Sequence, residues 1–417
     1  MKIWEIKMTN LMFNHSNKII IYIFAPLLMN FFIVKGLSFN VAYLIFIMQI
    51  AIFFTSIKKN NIRISKADRT SLGLIYLIFI FAIISSLFST YQIDSLRISM
   101  LVFITSIMLY LLTMFDDNPI RTFYKLHTFN MLIGVLTSIF GISLLLLGSV
   151  GYKMGSRVLS LSLGGINFYQ VIMGMPPIYR IASIASNPNT LGIILMFSQL
   201  STIFLLKTRK IDRIKFILLF AFQIFALLLT QSRGAIITSI IMIILFTYFS
   251  TKNRVRYVLF LIVIIVISVV LLVTFNQDIS ILSRFDEGLS GRDQAWKIII
   301  SRITQNPFMG VGFGVSSLAY LEDLGIKAHN VYLNTMIEIG FFGFVLFISI
   351  WMLALIKSFI NIKRKDLSLK HINILIFSIM FSLLFHQLVE NKLLVYDYVM
   401  FFWVYNISSV ISINNRS

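Results

Sequence analysis

Apolar runs of about 17 to 22 residues recur from one end of this 417-residue chain to the other. Each is long enough to cross a hydrocarbon core of about 30 Å. No other feature limits the fold so tightly, because a backbone in lipid has to satisfy its own N–H and C=O groups, as a helix does. The runs fall at about 18–34, 37–57, 70–89, 95–115, 129–148, 189–206, 216–230, 234–250, 257–275, 331–356, 371–389 and 394–412. The expectation is an all-α, polytopic membrane protein of about 12 transmembrane helices, a single membrane domain over 1–417. Composition agrees, at 58% hydrophobic and 12% charged, where a soluble chain carries roughly 25% charged residues. Met1 to Asn17 is polar and mixed, and the run after it leads to another span, so no secretory signal peptide is expected. The chain has no cysteine, which excludes disulfides, thiolate chemistry and cysteine-based metal sites.

The net charge of +20 would suit nucleic acid in a soluble protein. In a membrane chain a basic excess belongs on cytoplasmic loops, so position matters more than the total. With the N-terminus inside, Lys and Arg collect in 58–69, 121–125, 207–215, 252–256 and 357–370, and every inner loop carries some. This orientation puts both termini in the cytoplasm and expects membrane lipid, not nucleic acid, around the chain. The segment 216–250 decides the parity. It reads as a hairpin turning at Thr230-Gln231-Ser232-Arg233-Gly234. A first arm over 216–230 would rise only about 22 Å, so the turn and Arg233 are expected below the outer surface, facing protein or water rather than lipid.

Two long outer loops remain, 149–188 and 276–330, the second expected to carry the chemistry. In it Trp296, Ile299, Ile300 and Ile303 recur at helical spacing, which predicts a short amphipathic helix along the membrane surface or packed on the spans. The outer polar set is Arg157, Arg180, Arg233, Arg292, Arg302, His329, Glu338, His386 and Glu390. Guanidinium groups gathered on one face suit an anion, since they stay charged and bind phosphate oxygens in bidentate fashion. Arg157 and Arg302 read as residues snorkelling to headgroups. His329 precedes an apolar helix with Asn330 as its N-cap, and an imidazole there is able to accept a hydroxyl proton near neutral pH. Glu338 is expected to pair with an arginine or to be buried with a partner. His386 and Glu390 share a helix face, but two ligands without a third make a weak metal signal. The glycines Gly310, Gly312 and Gly314 lack the Lys-Ser/Thr ending of a nucleotide loop; they read as a turn for close backbone approach, to an anion among other things.

Thr230-Gln231-Ser232-Arg233-Gly234-Ala235 resembles the Ser-Arg-Gly-Ala signature of the O-antigen ligase and polymerase superfamily. The resemblance continues in order through Gly291-Arg292-x-x-x-Trp296, Asn306-Pro307-Phe308-x-Gly310-Val311-Gly312-x-Gly314, His329-Asn330-x-Tyr332-Leu333 and Glu338-x-Gly340-x-x-Gly343. Asn187-Pro188-Asn189-Thr190-Leu191-Gly192 is similar to that family's upstream element. The resemblance implies a metal-independent, inverting glycosyltransferase without cofactor, working at the outer face of the bacterial cytoplasmic membrane. Its donor would be a glycan on undecaprenyl pyrophosphate, and its fold a helical bundle with a cleft open sideways to lipid. Arg233 and Arg292 match the arginines that bind the donor pyrophosphate, and His329 matches the base toward the acceptor hydroxyl. Arg180, Asn189, Arg157, Glu338, Trp296 and Asn330 are the expected substrate contacts. The expected partners are the lipid-linked donor, a glycan or lipid acceptor, a flippase and a chain-length regulator.

The first reading of function is a polymerase that joins lipid-linked repeat units into capsule, exopolysaccharide or O-antigen. The second is a ligase that passes finished glycan to lipid A core, protein or wall. A third, from another class, is a lipid-linked oligosaccharide flippase or other transporter, which should show charge near mid-span and inverted repeats with broken helices.

Overall fold

The computed structural model describes residues 14–27, 38–56, 66–153, 156–164, 166–174, 179–252, 292–305, 307–320 and 329–415. Among these, eight helices are long and apolar enough to cross a membrane. They are α3 (Lys66–Leu87, apolar from Asp68), α4 (Gln92–Met114), α5 (Pro119–Leu147), α6 (Pro188–Lys207), α7 (Arg213–Thr230), α8 (Arg233–Ser250), α11 (Val331–Asn361) and α12 (Leu367–His386). They correspond to the third to eighth, tenth and eleventh apolar runs. Helices α1 (His15–Phe24), α2 (Ser38–Ser56) and α13 (Tyr398–Asn415) occupy the first, second and twelfth. The ninth run, 257–275, lies outside the described residues, as do Gly291, Asn306 and Ala328. The protein is an all-α polytopic membrane bundle.

The helices begin where short side chains cap the free N–H groups of a first turn. Asn118 accepts from the Arg121 N–H, Asn187 from Thr190, Asp212 from Lys215, Asn330 from Leu333 and Asp366 from Leu369. Two of these caps are followed by proline (Pro119, Pro188), whose fixed φ suits the first helical position. The caps also correct two expected boundaries. Helix α5 starts at Pro119 rather than near 129, because Asn118-Pro119 is already a complete start signal. Helix α7 starts at Arg213, capped by Asp212, so the first arm of the hairpin has 18 residues and rises about 27 Å. The short-arm argument for a sunken Arg233 therefore loses its premise.

At the centre stands α6, whose side chains from Thr190 to Leu205 are all buried. It is enclosed by α5, α7, α8 and α12. Close approach is made by glycine: a Cβ on Gly192 would come within 2.7 Å of the Ala235 Cβ. Alternate helix ends define two ends of the bundle. One gathers Ser56, Lys66, 114–119, 207–213 and 361–367; the Leu112 carbonyl is 3.0 Å from His15 Nε2 there, and the Asn414 carbonyl accepts from Arg364. The other gathers 87–92, 147–153, 179–188, 230–233, 386–398 and the start of α11.

That second end carries an addition to the expected helices. Within 149–188, read from sequence as a loop, β1 (Ser149–Lys153), β2 (Ser156–Leu163), β3 (Ile166–Met173) and β4 (Arg180–Ile181) form an antiparallel meander in the order β1-β2-β3-β4. Period-two alternation in Ser160-Leu161-Ser162-Leu163 is the sequence signal for it. Gln170 fixes the sheet to the bundle, donating to the Gly141 carbonyl at 2.9 Å and accepting from the Ser183 N–H at 3.0 Å.

Candidate active site

Five elements meet at this end around one carboxylate. Glu390 lies four residues past α12, and its side chain is only 7% exposed. Asn189, in the first turn of α6, donates Nδ2–H to Glu390 Oε1 at 2.9 Å. Arg292 opens α9 (Arg292–Gln305) and reaches the same oxygen at 3.6 Å, while its other terminal nitrogen donates to the Val389 carbonyl at 2.7 Å. His329 Nδ1 stands 3.3 Å from Glu390 Oε2. Arg180, on β4, donates to Asn189 Oδ1 at 2.8 Å and to the Thr230 carbonyl at 2.9 Å, tying the sheet to the last residue of α7.

Arg233 is the first residue of α8 and half-buried. The start of α8 lies against the Glu390 segment, because a Cβ on Gly234 would sit 3.1 Å from Val389 and 3.9 Å from His386. Its charge is felt by Arg292. Burial pulls the Arg292 guanidinium below its ordinary range, the Glu390 carboxylate opposes this, and Arg233 adds to the lowering. For Glu390, burial alone raises the carboxyl, but His329, His386 and Lys392 outweigh it and hold the group below the usual glutamate value. Of the three guanidinium groups at this end, Arg292 meets the carboxylate directly, Arg180 reaches it through Asn189, and Arg233 acts on Arg292.

The backbone here is unusual. Gln231 (φ 49°) and His329 (φ 48°) both sit in the left-handed region, uncommon for a residue with a side chain and found where surrounding structure enforces it. Gln231 turns the chain between α7 and α8; His329 directs its ring at Glu390 just before Asn330 caps α11.

Of the sequence-predicted site residues, the structure brings together Arg180, Asn189, Arg233, Arg292 and His329. Asn330 adjoins them as the α11 cap, with no substrate-facing role evident. Arg157 lies apart, its guanidinium held by the Tyr152 hydroxyl at 3.0 Å and the Gly174 carbonyl at 2.9 Å; this contact with the sheet replaces the expected headgroup. Glu338 is buried inside α11 and accepts from the hydroxyl of Ser316, the first residue of α10 (Ser316–Tyr320), at 2.6 Å, so it is buried with a partner that is a hydroxyl and not an arginine. Trp296 packs with Ala295, Ile299 and Ile303 against Ile337 of α11, whereas Ile300 points away and is 50% exposed. Arg302 is exposed and donates to Gln305. The glycine run makes the close backbone approach expected of it, here to neighbouring helices. Val311 N–H donates to the Ile337 carbonyl at 2.9 Å and Phe341 N–H to Pro307. A Cβ on Gly310 would come 2.1 Å from the Glu338 carbonyl, and α11 is kinked at Gly340, where φ is 72°. The helix face expected to join His386 and Glu390 does not form, because α12 ends at His386, and Glu390 turns toward His329.

Residues 217–348 match the family model described as O-antigen ligase. This stretch contains Arg233, Arg292, Trp296, His329, Asn330 and Glu338; Arg180, Asn189 and Glu390 lie outside it. The chain is also 27% identical over 197 residues to the ComP-specific O-oligosaccharyltransferase of Acinetobacter baylyi, across 43% of this chain and 36% of that protein's length. Each match spans less than half of this chain, and both are likenesses to glycan-transferring proteins of the O-antigen ligase type.

Proposed function

We propose that this protein is a membrane glycosyltransferase that moves a glycan from a polyprenyl-pyrophosphate carrier to a hydroxyl acceptor at the outer face of the cytoplasmic membrane. The observation that carries the reading is the gathering of Arg180, Arg233, Arg292 and His329 around Glu390 at one end of the bundle. The opposite end bears the basic loops at 207–213 and 361–367, and basic loops mark the cytoplasmic side, which supports termini inside and the site outside. A pyrophosphate leaving group is already activated. Its departure needs charge stabilisation, which Arg233 and Arg292 supply, and one base, which His329 supplies. The domain reading follows: one membrane domain, with 149–188 and 276–330 as its outer elements and the second contributing Arg292 and His329.

Polymerisation of lipid-linked repeat units into surface polysaccharide is the first reading of the product. Transfer of finished glycan to another acceptor is the second, favoured by the Acinetobacter relative, whose name describes O-linked oligosaccharide transfer specific for ComP. Cells lacking the protein, complemented with wild type or Arg233→Ala, separate them on a polysaccharide gel. Loss of the long-chain ladder with single repeat units left marks a polymerase; full-length chains still on the carrier mark a ligase. Arg233→Ala is expected to behave as the deletion while inserting normally in the membrane. An unchanged ladder would overturn both and leave transport.

A further inference from the structure

The carboxylate at the centre of the site is more buried than the groups around it. Side-chain exposure rises from 7% for Glu390 through 21% for Arg292 to 35% for His329. The imidazole is thus the accessible tip of an assembly whose base is Glu390. Its Nδ1 faces Glu390 Oε2 at 3.3 Å. A carboxylate in that position accepts a hydrogen bond from Nδ1–H, which leaves the lone pair on Nε2, at the other edge of the ring.

We propose that Glu390 is the positioning residue of His329, fixing the Nδ1–H form so that Nε2 faces the acceptor hydroxyl. This inference rests on the glycan-transfer reading for the reaction it assists. Two further observations carry it. His329 is held at φ 48°, a conformation that no neighbouring glycine requires and that aims its ring at Glu390. The carboxylate is itself fixed from a second side by Asn189 at 2.9 Å, and its segment is pinned by the Val331 N–H to the Gln387 carbonyl at 3.0 Å. An orienting group held this firmly confines the imidazole as well.

In the transfer step the acceptor oxygen forms its bond to the anomeric carbon as the bond from that carbon to the pyrophosphate oxygen breaks. The bonding pair leaves with the pyrophosphate, whose charge Arg233 and Arg292 meet. The hydroxyl proton passes to His329 Nε2, the imidazolium is stabilised by Glu390, and the proton is then lost to water. The groups facing this pair are Arg292 from α9, Asn189 from α6, His386 and Lys392 from the Glu390 segment, and Arg233 from α8 through its effect on Arg292. Arg292 and His329 lean on the same carboxylate through different oxygens. An incoming pyrophosphate that draws Arg292 toward itself therefore leaves Glu390 more fully to His329, so donor binding strengthens the base.

The test uses the full chain in detergent with lipid-linked glycan as donor. Glu390→Gln should lower kcat about 10²-fold or more while donor KM changes by less than about threefold. Glu390→Asp should recover part of the rate. A rise in donor KM with unchanged kcat would overturn the pairing and reduce Glu390 to a partner of Arg292. A readout free of activity is nitrogen NMR of 15N-histidine-labelled protein, with His329 assigned from its absence in His329→Gln. The Nδ1–H form is expected in wild type near neutral pH and is lost in Glu390→Gln; an Nε2–H form in wild type sinks the proposal. If wild type transfers no glycan yet the tautomer responds to Glu390→Gln, the pairing stands and the glycosyltransferase reading fails.

Discussion

Two histidines of this protein are held by entirely different surroundings. His329 stands at one end of the bundle, a third exposed, against a buried carboxylate and among three arginines. His127 lies wholly buried in α5. Its Nδ1 is 2.8 Å from the Ser201 hydroxyl, which accepts from Asn130, which in turn accepts from the Tyr398 hydroxyl at 2.7 Å. Phe123, Phe204 and Phe402 enclose the ring. This second network joins α5, α6 and α13 through neutral groups only. A buried polar set whose bonds run among its own members, as these do although His127 Nε2 has no hydrogen-bond partner, fixes how helices pack, and in lipid such bonds are worth little more than in water. A charged set left half-open has unspent capacity for a ligand. The imidazole itself says nothing; its neighbours decide the role.

The sharpest way to break that contrast is to delete each ring. His329→Ala should cut glycan transfer by about 10² to 10⁴-fold, in kcat more than in donor binding, with normal yield and melting temperature. An unchanged rate would make His329 structural. The parallel His127→Ala should do the reverse. It empties a closed aromatic site and strands the Ser201 and Asn130 partners, a loss of about 1–3 kcal/mol, while turnover per folded molecule stays at the wild-type level. A large fall in specific turnover would mean that the inner network serves the reaction.

Acid sharpens the comparison further, because only the outer cluster holds a carboxylate. Glu390 is held below the ordinary glutamate value by His329, His386 and Lys392 against the effect of burial. A group whose folded pKa is lowered contributes stability above its unfolded value, and that contribution is lost as pH falls through the folded value. The melting temperature should therefore decline below about pH 4.3, and less steeply in Glu390→Gln than in wild type. Equal slopes would mean that the carboxylate is not stabilised by its partners. The smallest effect expected is that of EDTA: transfer should proceed unaltered, since the proposed roles fall to arginine, histidine and glutamate. A metal requirement would break the proposed chemistry.

Much of this organisation was legible beforehand. The apolar runs gave the helices because lipid leaves the backbone no alternative partner, and the Asn and Asp caps give their starts within a residue once noticed. The hairpin at 230–234 and the amphipathic helix over 292–305 follow from the same local rules. Alternating Ser and Leu in 160–163 carried the sheet, although it was read as loop. Less legible were the residues whose neighbours come from elsewhere in the chain. For Glu338 an arginine or some other buried partner was open, and the sequence holds no record that Ser316 folds back onto α11. Gly310, Gly312 and Gly314 read as a turn for close backbone approach, but what Gly310 approaches, the Glu338 carbonyl of α11, comes from elsewhere in the chain. Arg157 looked free for a headgroup until Tyr152 was seen across the strand pair.

By itself, then, the sequence determined the helical membrane class, the order of the spans and the pool of charged and polar residues from which a site is drawn. Those properties depend on period, cap and charge bias, which act over a few residues. Tertiary structure alone decided which members of the pool meet. Glu390 joins Asn189, Arg292 and His329 across separations of 61 to 201 residues, because α12 ends early at His386 and turns the chain toward the start of α11. No local rule contains that distance; it is set by how the helices pack.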